Sequence, residues 1–402
     1  MTGDSIPDAK LEAFRAEARA WLAANFPTSL KGRGALMTAE DPPSGNRDFQ
    51  AWKRAMGEKG WGVPNWPAAL GGGGLDAARA RVLGEEMSAI GAWSPIGGMG
   101  VMMFGPTLLE YGDEAQKARH IPPIARGEVR WCQGFSEPGA GSDLAGLSTR
   151  CEDKGDHWLV NGQKVWTSGA NHADWCFCLV RTDPVRKHEG ISFLLIDMRS
   201  SGVEVRPIRL ISGNSPFCET FFTDVKVAKE DLVGPLGGGW SIAKRLLQHE
   251  RNGLGGGRGG AAAPLAAMAR DYVGEGPGGR IADADLRIRI AAHEMEARAF
   301  QLTALRSMGE ARSNQASGAV SSIMKNAGTK IAQDRLELVV EIMGSQGLGW
   351  QGEAYKPGEL AAVRAWLGSK AYSIYGGSAE IQNNIIAKRI LGLPDPLAAA
   401  SH

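Results

Sequence analysis

The sequence predicts an α+β protein in which two helical regions flank a mostly antiparallel β domain. Three observations support this prediction. Apolar residues recur at helical spacing to about residue 128, short β-prone runs follow to about residue 234, and helical spacing then returns. The chain has 402 residues, so each region is long enough to bury a core of its own. We therefore predict three domains, over residues 1–128, 129–234 and 235–402.

The N-terminal region is predicted to consist of helices joined by loops rich in proline and glycine. Leu11, Phe14, Ala18 and Leu22 fall on one helical face, and ARVLGEEMSAIG and FGPTLLEYG repeat that spacing. The stretch VPNWPAALGGGG is typical of a loop. The chain starts without a basic segment followed by an apolar run, and nowhere reaches about 18 consecutive apolar residues. We expect a cytoplasmic protein without a membrane span.

The central region contains six short β-prone runs: RWCQGFS, HWLVNGQKVWTS, DWCFCLVRT, GISFLLIDM, GVEVRPIRL and CETFFTDVKV. The Asn161-Gly162 pair between two alternating runs predicts a hairpin turn. Five cysteines without a CxxC pair argue against a disulfide framework or a structural zinc site. Cys176 and Cys178 share one face of a predicted strand, where we expect buried thiols.

The C-terminal region is predicted to be a four-helix bundle. Its amphipathic stretches are GWSIAKRLLQHE, DADLRIRIAAHEMEARAFQLTALRSM, AVSSIMKNAGTKIAQDRLELVVEIMG and NNIIAKRIL. None of the seven histidines has a metal-binding spacing such as HExxH, so we predict no metal site. Because 45 basic and 44 acidic side chains leave a net charge of +1, no overall field favours nucleic acid or an anionic membrane.

Two stretches of the β region have the composition of a ligand site. In CQGFSEPGAGSDLAGLSTR, glycines and serines form a loop whose N–H groups and hydroxyls would meet a flat or anionic ligand. An ordinary glycine-rich turn is the alternative. In KVWTSGANHADW, Trp166 stands beside Thr167 and Ser168 at a strand end, which is typical of one wall of a planar-cofactor pocket. A tryptophan that fills the core is the alternative there.

Five motifs occur in order along essentially the whole chain: FSEPGAGSD, WTSG, FFTDVKV with LVG, EIMGSQG and YGGSAEIQNNIIAKRILG. Together with the α, β, α order, they resemble the acyl-CoA dehydrogenase family of flavoproteins. The resemblance implies FAD as cofactor, an acyl-CoA as substrate and an electron-transfer flavoprotein as electron acceptor. It also implies the acyl-CoA dehydrogenase fold and a homodimer or homotetramer.

The resemblance places FAD between the β domain and the C-terminal bundle. From the β domain it implies contacts at Gln133, Phe135, Ser136, Ser142, Trp166, Thr167 and Ser168. From the C-terminal region it implies contacts at Glu341, position 345 (Ser345), Ser378 and Glu380. Glu341 replaces the glutamine with which the family completes a second subunit's site, and the family's Arg-x-x-Phe-Gly is missing. A hetero-oligomer with a related chain therefore stays open.

The catalytic carboxylate of the resembled family usually stands at the position of Gly376, which has no side chain. The Gly376 N–H remains, and by resemblance it donates to the thioester carbonyl oxygen. Some members carry the base on the first helix of the C-terminal bundle, where Glu250 and Arg251 occur in SIAKRLLQHERNGLGGG. We predict that Glu250 removes the α proton, and that Ser142, Arg251 and Gly377 contact the substrate. A solvated helical carboxylate is the alternative for Glu250.

The glycines from Gly253 to Gly260, together with Gly376, predict room for a bulky or branched acyl group, with a mobile loop as the alternative. The predicted reaction is α,β-dehydrogenation of an acyl-CoA to a trans-2-enoyl-CoA, with hydride transfer to flavin N5. Three other functions remain open. They are an acyl-CoA oxidase, a lyase or desulfinase on the same fold, and a non-catalytic subunit of a hetero-oligomer.

Overall fold

The computed structural model describes residues 8–32, 45–255, 264–312 and 320–394. The chain divides into two compact units, one of Met1–Ile208 and Ser215–Gly253, the other of Arg209–Asn214 and Leu254–His402. The helices up to the end of the first unit are α1 (Asp8–Asn25), α2 (Arg47–Glu58), α3 (Ala77–Ile90), α4 (Gly105–Tyr111), α5 (Glu114–Ala125) and α6 (Gly239–Gly255). Its strands are β1 (Trp131–Gly134), β2 (Arg150–Asp153), β3 (His157–Ser168), β4 (Trp175–Arg181), β5 (Ile191–Asp197), β6 (Val203–Ile208), β7 (Phe217–Ala228) and β8 (Leu232–Val233).

Helices α1 to α3 pack around a shared apolar core, as the helical spacing predicted. Leu22, Trp52 and Leu83, one from each helix, are almost fully buried. Helix α3 begins where the Asp76 carboxylate accepts hydrogen bonds from two N–H groups of the first turn. It ends at Gly91, whose left-handed φ of 73° is readily adopted by glycine.

The strands of the first unit form one mostly antiparallel sheet in the order β6-β7-β3-β2-β4-β5-β8, with β1 also paired to β4. The β1–β4 and β2–β4 pairs are parallel. Alternation along β4 directs Phe177 to one face, where it stacks on Phe193 with ring centroids 6.1 Å apart. Cys176 and Cys178 point to the other face and are fully buried, which confirms the predicted core thiols. Burial raises the pKa of the Cys178 thiol.

The hairpin predicted at Asn161-Gly162 is wrong, because β3 runs through both residues without a turn. The pairing of β3 with β7 shifts register at this point, so the two residues form a β-bulge. A Cβ at Gly162 would lie 2.7 Å from the Cα of Thr149, so glycine is needed for this close approach. The Asn161 side chain also exchanges hydrogen bonds of 2.8 and 3.0 Å with Asp224 of β7, which has a φ of 51°. These contacts stabilise the bulge.

Helix α6 packs within the first unit up to Gly253, whereas the sequence grouped it with the C-terminal helices. Ile242 and Leu246 are buried in the apolar cluster that lies against the sheet. Arg245 donates two hydrogen bonds to Glu110 of α4, at 2.7 and 2.8 Å. One face of α6 is therefore held by apolar packing and its flank by a bidentate ion pair.

The second unit is helical, as predicted for the C-terminal region. Its elements are α7 (Leu265–Val273), β9 (Glu275–Gly276), β10 (Arg280–Ile281), α8 (Ala284–Arg312), α9 (Val320–Met343), α10 (Pro357–Ser369) and α11 (Ala379–Arg389). Helix α9 lies at the centre, because α7, α8, α10 and α11 all pack on it. Leu286, Ile290, Leu338 and Ile342 form the core between α8 and α9. Within the described residues, no helix combines the length and apolar character needed to cross a membrane.

His120 on α5 is a buried histidine that the fold holds in its neutral form. The rings of Trp131 and Trp175 meet it edge-on, with centroids 5.1 and 5.0 Å away. The Nε of Arg119 donates a hydrogen bond to the His120 Nε2 at 2.9 Å. Burial, and secondarily the charge of Arg119, lower the pKa of His120 from 6.5 to about 4.

The free energy of unfolding is expected to fall as the pH drops from 6.5 towards 4, because the unfolded chain binds a proton that folded His120 excludes. Between pH 7.5 and pH 5, His120 should lower the free energy of unfolding by about 2 kcal/mol. Urea unfolding of the wild type and of His120→Gln at both pH values tests this. The wild type should lose about 2 kcal/mol more than the variant. Equal pH dependence in the two proteins would contradict the prediction.

Candidate active site

A buried ion pair anchors the glycine-rich loop that follows β1. The Oε1 of Glu137 lies 2.8 Å from the Nζ of Lys164, and both side chains are almost completely removed from solvent. The other carboxylate oxygen accepts hydrogen bonds from the N–H and the hydroxyl of Ser148, at 2.7 and 2.8 Å. The Thr149 N–H donates to Oε1 at 2.9 Å. These bonds to one carboxylate join the start of the loop, its end and the middle of β3.

Burial alone would raise the pKa of Glu137, but the Lys164 ammonium and the hydrogen bonds outweigh burial and lower the pKa to about 2. The Lys164 Nζ also donates to the backbone oxygen of Phe135 at 3.2 Å. Neither charged residue was predicted from the sequence as part of the site. The sequence feature that could have revealed this pair is Lys164, which falls at an inward-facing position of β3. A buried lysine requires an anionic or carbonyl partner.

The structure brings the end of β1 and the end of β3 together. The Val165 N–H donates to the backbone oxygen of Ser136 at 2.9 Å. The Ser136 hydroxyl has no hydrogen-bond partner among the described residues, and Gln133 is half-buried on β1. The Phe135 ring is buried against Phe177, with centroids 6.0 Å apart, so Phe135 offers a ligand its backbone rather than its ring.

The end of β3 combines backbone strain with an unsatisfied hydroxyl. Trp166 has a φ of 60°, which is rare for an aromatic residue, and its indole is 54% exposed beside Phe217. Thr167 is fully buried, and its Oγ1 has no hydrogen-bond partner in the part of the chain that the structure describes. Ser168 follows at the end of the strand. A buried hydroxyl without a partner costs about 1–3 kcal/mol, so it marks a place where a polar ligand atom would fit.

The ends of β1 and β3 together form a candidate flavin half-site. Its rim is the open loop that carries Gly139, Gly141 and Ser142. Glu137 and Ala140 exchange N–H to oxygen hydrogen bonds of 2.9 and 3.0 Å, which form a tight turn. A Cβ at Gly139 or Gly141 would meet no other atom within 4 Å, so the space beside the loop is open. Ser142 is exposed on this rim.

The predicted base lies near the end of α6. The helix continues to Gly255, and the backbones of Glu250 and Arg251 are helical. Their side chains lie outside the part that the structure describes, as do the glycines from position 256 to 260. One residue earlier, the His249 Nε2 lies 3.2 Å from the Oε1 of Glu110.

In the second unit, the glycine pair of YGGSAEIQ forms the turn before α11. Gly376 and Gly377 have left-handed φ values of 64° and 88°. The Gln382 Nε2 donates to the Gly376 oxygen at 3.1 Å, and the Ser378 hydroxyl accepts from the Ile381 N–H at 3.4 Å as the helix cap. The Gly376 N–H has no hydrogen-bond partner among the described residues and can therefore donate to a ligand oxygen.

The two acidic residues that the resemblance implies as FAD contacts are both engaged inside the second unit. Glu341 on α9 forms a bidentate ion pair with Arg289 on α8. This pair joins the two helices. A hydrogen bond from the helix cap lowers the pKa of Glu380. The turn after α9 has its left-handed residue at Gly344, with a φ of 55°, and Ser345 follows it.

Comparison with known proteins decides the family. The acyl-CoA dehydrogenase N-terminal domain matches residues 8–128, the middle domain matches 132–225 and the C-terminal domain matches 237–391. The chain belongs to the acyl-CoA dehydrogenase family. Acyl-CoA dehydrogenase IpdE1 of Mycobacterium tuberculosis is 35% identical over 401 residues, which cover 96% of this chain and 98% of that protein.

Two solved structures are similar to this protein over nearly the whole chain. The Tcur3481-Tcur3483 steroid ACAD has a TM-score of 0.74 and 30% identity, covering 97% of this chain and 99% of that one. The ChsE4-ChsE5 complex from Mycobacterium tuberculosis has a TM-score of 0.72 and 29% identity, covering 98% of this chain and 100% of that one. The chain is therefore an FAD-dependent oxidoreductase of the acyl-CoA dehydrogenase type.

The first unit fits the flavin that acyl-CoA dehydrogenases use. The hydroxyls of Ser136 and Thr167 have no hydrogen-bond partner among the described residues and would be available to a polar ligand, and the exposed indole of Trp166 offers a flat apolar wall. The open sides of Gly139 and Gly141 allow close approach of a ligand to the loop backbone. These groups lie at or just after the ends of β1 and β3, which the hydrogen bond from the Val165 N–H to the Ser136 oxygen joins.

Replacing Thr167 with valine is expected to weaken FAD binding and to spare the apoprotein. Valine has nearly the same shape, and the lost hydroxyl has no partner among the described residues. The free energy of unfolding of the apoprotein should therefore stay constant or rise by about 1 kcal/mol. Loss of one hydrogen bond to the flavin should raise the Kd for FAD about 5- to 10-fold, as measured by fluorescence titration.

Thr220→Val is the matched control for this experiment. The Thr220 hydroxyl on β7 is also buried and unpartnered among the described residues, but it is not one of the predicted cofactor contacts. Its removal should leave the Kd for FAD unchanged. An unchanged Kd in Thr167→Val, or an equal change in both variants, would remove Thr167 from the flavin site.

Proposed function

We propose that this chain oxidises an acyl-CoA thioester to the trans-2-enoyl-CoA with bound FAD as the oxidant. The observation that carries the proposal is the edge formed by Trp166 and Thr167, where a strained, exposed indole lies beside a buried hydroxyl for which the described residues offer no partner. Both features cost stability in the free chain, and a bound planar ligand accounts for both. FAD, when bound, supplies a hydride acceptor at flavin N5.

Two groups of the chain would act on the substrate. Glu250 on α6 would accept the α proton, and the electron pair left on the α carbon forms the new double bond as the β carbon loses a hydride. The Gly376 N–H, which bonds to no other described residue, would donate to the thioester oxygen and stabilise the negative charge that develops there. Arg251, Gly377 and Ser142 would contact the CoA thioester.

The remaining predicted residues would hold the cofactor. Gln133, Ser136 and the Phe135 backbone would face the flavin from one strand end, and Ser168 would face it from the other. Ser142 would reach the phosphates. Glu341, Ser345, Ser378 and Glu380 would belong to the adenine side, which a second subunit would share.

The proposed substrate carries a branched or ring-bearing acyl group. Gly376 has no side chain, and a Cβ there would meet no atom within 4 Å, so the turn leaves space where the family usually has a carboxylate. The glycines that follow Glu250 add further room in the sequence. One similar solved structure, at 30% identity, is described as a steroid ACAD.

We propose an electron-transfer flavoprotein as the electron acceptor, the cytoplasm as the location and a homodimer or homotetramer as the assembly. One observation favours a second arrangement, in which this chain is one subunit of a hetero-oligomer. Glu341 stands at the position of the family's inter-subunit glutamine, and its carboxylate forms an ion pair with Arg289 of its own chain. Similar solved structures include a ChsE4-ChsE5 complex.

Anaerobic titration of the purified protein with straight, branched and ring-bearing acyl-CoAs tests the reaction. Bleaching of the oxidised flavin absorbance by one class of substrate would support dehydrogenation and rank the substrates. Rapid peroxide formation in air would indicate an oxidase instead. Flavin that no member of the panel bleaches would indicate a lyase or desulfinase, and protein that stays colourless with added FAD would indicate a non-catalytic subunit.

A further inference from the structure

Glu110 of α4 contacts two consecutive turns of α6. Its two carboxylate oxygens accept hydrogen bonds from the Arg245 guanidinium, at 2.7 and 2.8 Å. The Nε2 of His249, one turn further along α6, is shielded from solvent and lies 3.2 Å from Oε1 of the same carboxylate, without the alignment of a hydrogen bond. The Arg245 guanidinium lowers the pKa of Glu110, so the carboxylate is ionised at neutral pH. We call Glu110, Arg245 and His249 the α6 clamp.

The α6 clamp is not the main source of stability for its helix. The Arg245 and Glu110 side chains are 41% and 37% exposed, so water screens their charges. Ile242 and Leu246 of the same helix are buried in the apolar cluster against the sheet. The contribution of the ion pair to the free energy of unfolding is therefore small beside that of the buried side chains.

Apolar packing and the α6 clamp restrain different motions of the helix. Burial of an apolar face keeps the helix on the sheet, but the hydrophobic effect is non-directional and permits small rotations about the helix axis. Hydrogen bonds are directional, and contacts at Arg245 and His249 on one face oppose such a rotation. A side-chain atom about 6 Å from the axis moves by about 1 Å when the helix turns by about 10°.

The predicted base follows the α6 clamp directly in the sequence. Glu250 is the residue after His249, and its backbone continues the same helix. Beyond it, the helix contains Gly253 and Gly255, and glycine weakens a helix. The rotation of α6 at position 250 therefore depends on the preceding turns, which are those that Glu110 contacts.

We infer that Glu110 is a positioning residue, which sets the rotation of α6 and so the position of the Glu250 carboxylate relative to the substrate. This role rests on the proposed function of Glu250 as the base. It gives Glu110 no contact with substrate or flavin. A misplacement of about 1 Å can slow a reaction about 10²-fold, so a loosened clamp should reduce the rate although the base is still present.

Glu110→Gln tests this role in the FAD-loaded protein, because it preserves side-chain size and removes the charge. Anaerobic flavin reduction at saturating acyl-CoA should slow about 10-fold. The acyl-CoA concentration that gives half the maximal rate should stay within about 2-fold of wild type. In the Glu250→Gln background the same substitution should have no further effect, because Glu110 acts only through that carboxylate.

Glu128→Gln is the matched control for the loss of an exposed bidentate pair. Glu128 also accepts two hydrogen bonds from one arginine, Arg126, at 2.7 and 2.8 Å. The side chains of this pair are 42% and 52% exposed, and the pair lies at the end of α5 and not on α6. Glu128→Gln should reduce its flavin at the wild-type rate.

Arg245→Met separates positioning from a charge effect on the base. It breaks the same hydrogen bonds as Glu110→Gln but removes a positive charge instead of a negative one. A loosened helix predicts a similar fall in rate in both variants. A direct charge effect would instead lower the pKa seen in the pH–rate profile of Glu110→Gln and raise that of Arg245→Met.

Amide hydrogen exchange provides a readout that does not depend on the reaction. Exchange at residues 246–250 should be about 5-fold faster in FAD-loaded Glu110→Gln than in wild type, because the end of α6 opens more often without the clamp. Exchange in α3 should stay unchanged. Circular dichroism and FAD content verify that each variant is folded.

Different results would overturn the role of Glu110 and the proposed function. A wild-type rate in Glu110→Gln, an equal slowing in the Glu250→Gln background, or opposite pKa shifts without a shared fall in rate would each exclude positioning through Glu250. Unchanged exchange at residues 246–250 would show that Glu110 does not hold α6. A wild-type rate in Glu250→Gln would refute the proposed base, and with it this role of Glu110, even if the exchange result showed that the clamp holds the helix.

Discussion

Replacing Glu250 with glutamine is expected to slow anaerobic flavin reduction by acyl-CoA about 10³-fold. General-base catalysis contributes about 10²- to 10⁴-fold, and a glutamine amide cannot accept the α proton. The substitution preserves side-chain size and lies on α6, which is held by its own apolar packing and by the Arg245 ion pair with Glu110. FAD content and acyl-CoA affinity should therefore stay close to wild type.

The pH dependence separates a base from a residue that only supports the helix. A carboxylate desolvated by flavin and substrate has a raised pKa, so the wild-type rate should increase with pH through that pKa. The residual rate of Glu250→Gln should lack this step. Glu230→Gln, at an exposed position of the first unit, is the matched control and should keep the wild-type profile. A Glu250→Gln protein that reduces its flavin at the wild-type rate would place the base elsewhere.

Replacing Lys164 with methionine is expected to lower the free energy of unfolding by about 3–5 kcal/mol. The substitution leaves the Glu137 carboxylate buried without its cation, and a buried unpaired charge is strongly destabilising. The same carboxylate binds Ser148 and Thr149, so the loop that borders the flavin half-site should loosen as well. FAD content of the purified variant should fall. Urea unfolding and the ratio of flavin to protein absorbance measure the two effects.

A double-mutant cycle shows whether the pair, rather than lysine packing, is responsible. Glu137→Gln combined with Lys164→Met removes both charges and should recover at least half of the stability lost in the single variant. Lys187→Met is the matched control, because Lys187 pairs with Asp143 of the same loop at 3.2 Å but in solvent. It should cost less than about 1 kcal/mol. If Lys164→Met lowered the free energy of unfolding as little as Lys187→Met does, the buried pair would not be what holds the loop.

Local patterns predicted much of the architecture. Helical spacing and strand alternation depend on residues two to four positions apart, so they predicted the two helical regions, the β region and the buried face of Cys176 and Cys178. The same local view failed at Asn161-Gly162, where a favoured turn sequence forms a bulge. The close approach of Thr149 and the bonds to Asp224 come from distant positions in the chain and outweigh the local turn preference.

By itself, the sequence determined the order of helical and β regions, the family and the residue types available for chemistry, including the missing carboxylate at Gly376. Those properties follow from composition, periodicity and motif order along the chain. Only the tertiary structure decided that Glu137 pairs with Lys164, and that Trp166 takes a left-handed conformation beside the Thr167 hydroxyl, which has no hydrogen-bond partner among the described residues. Each of these depends on which distant segments meet, because burial and hydrogen-bond satisfaction are properties of the packed chain.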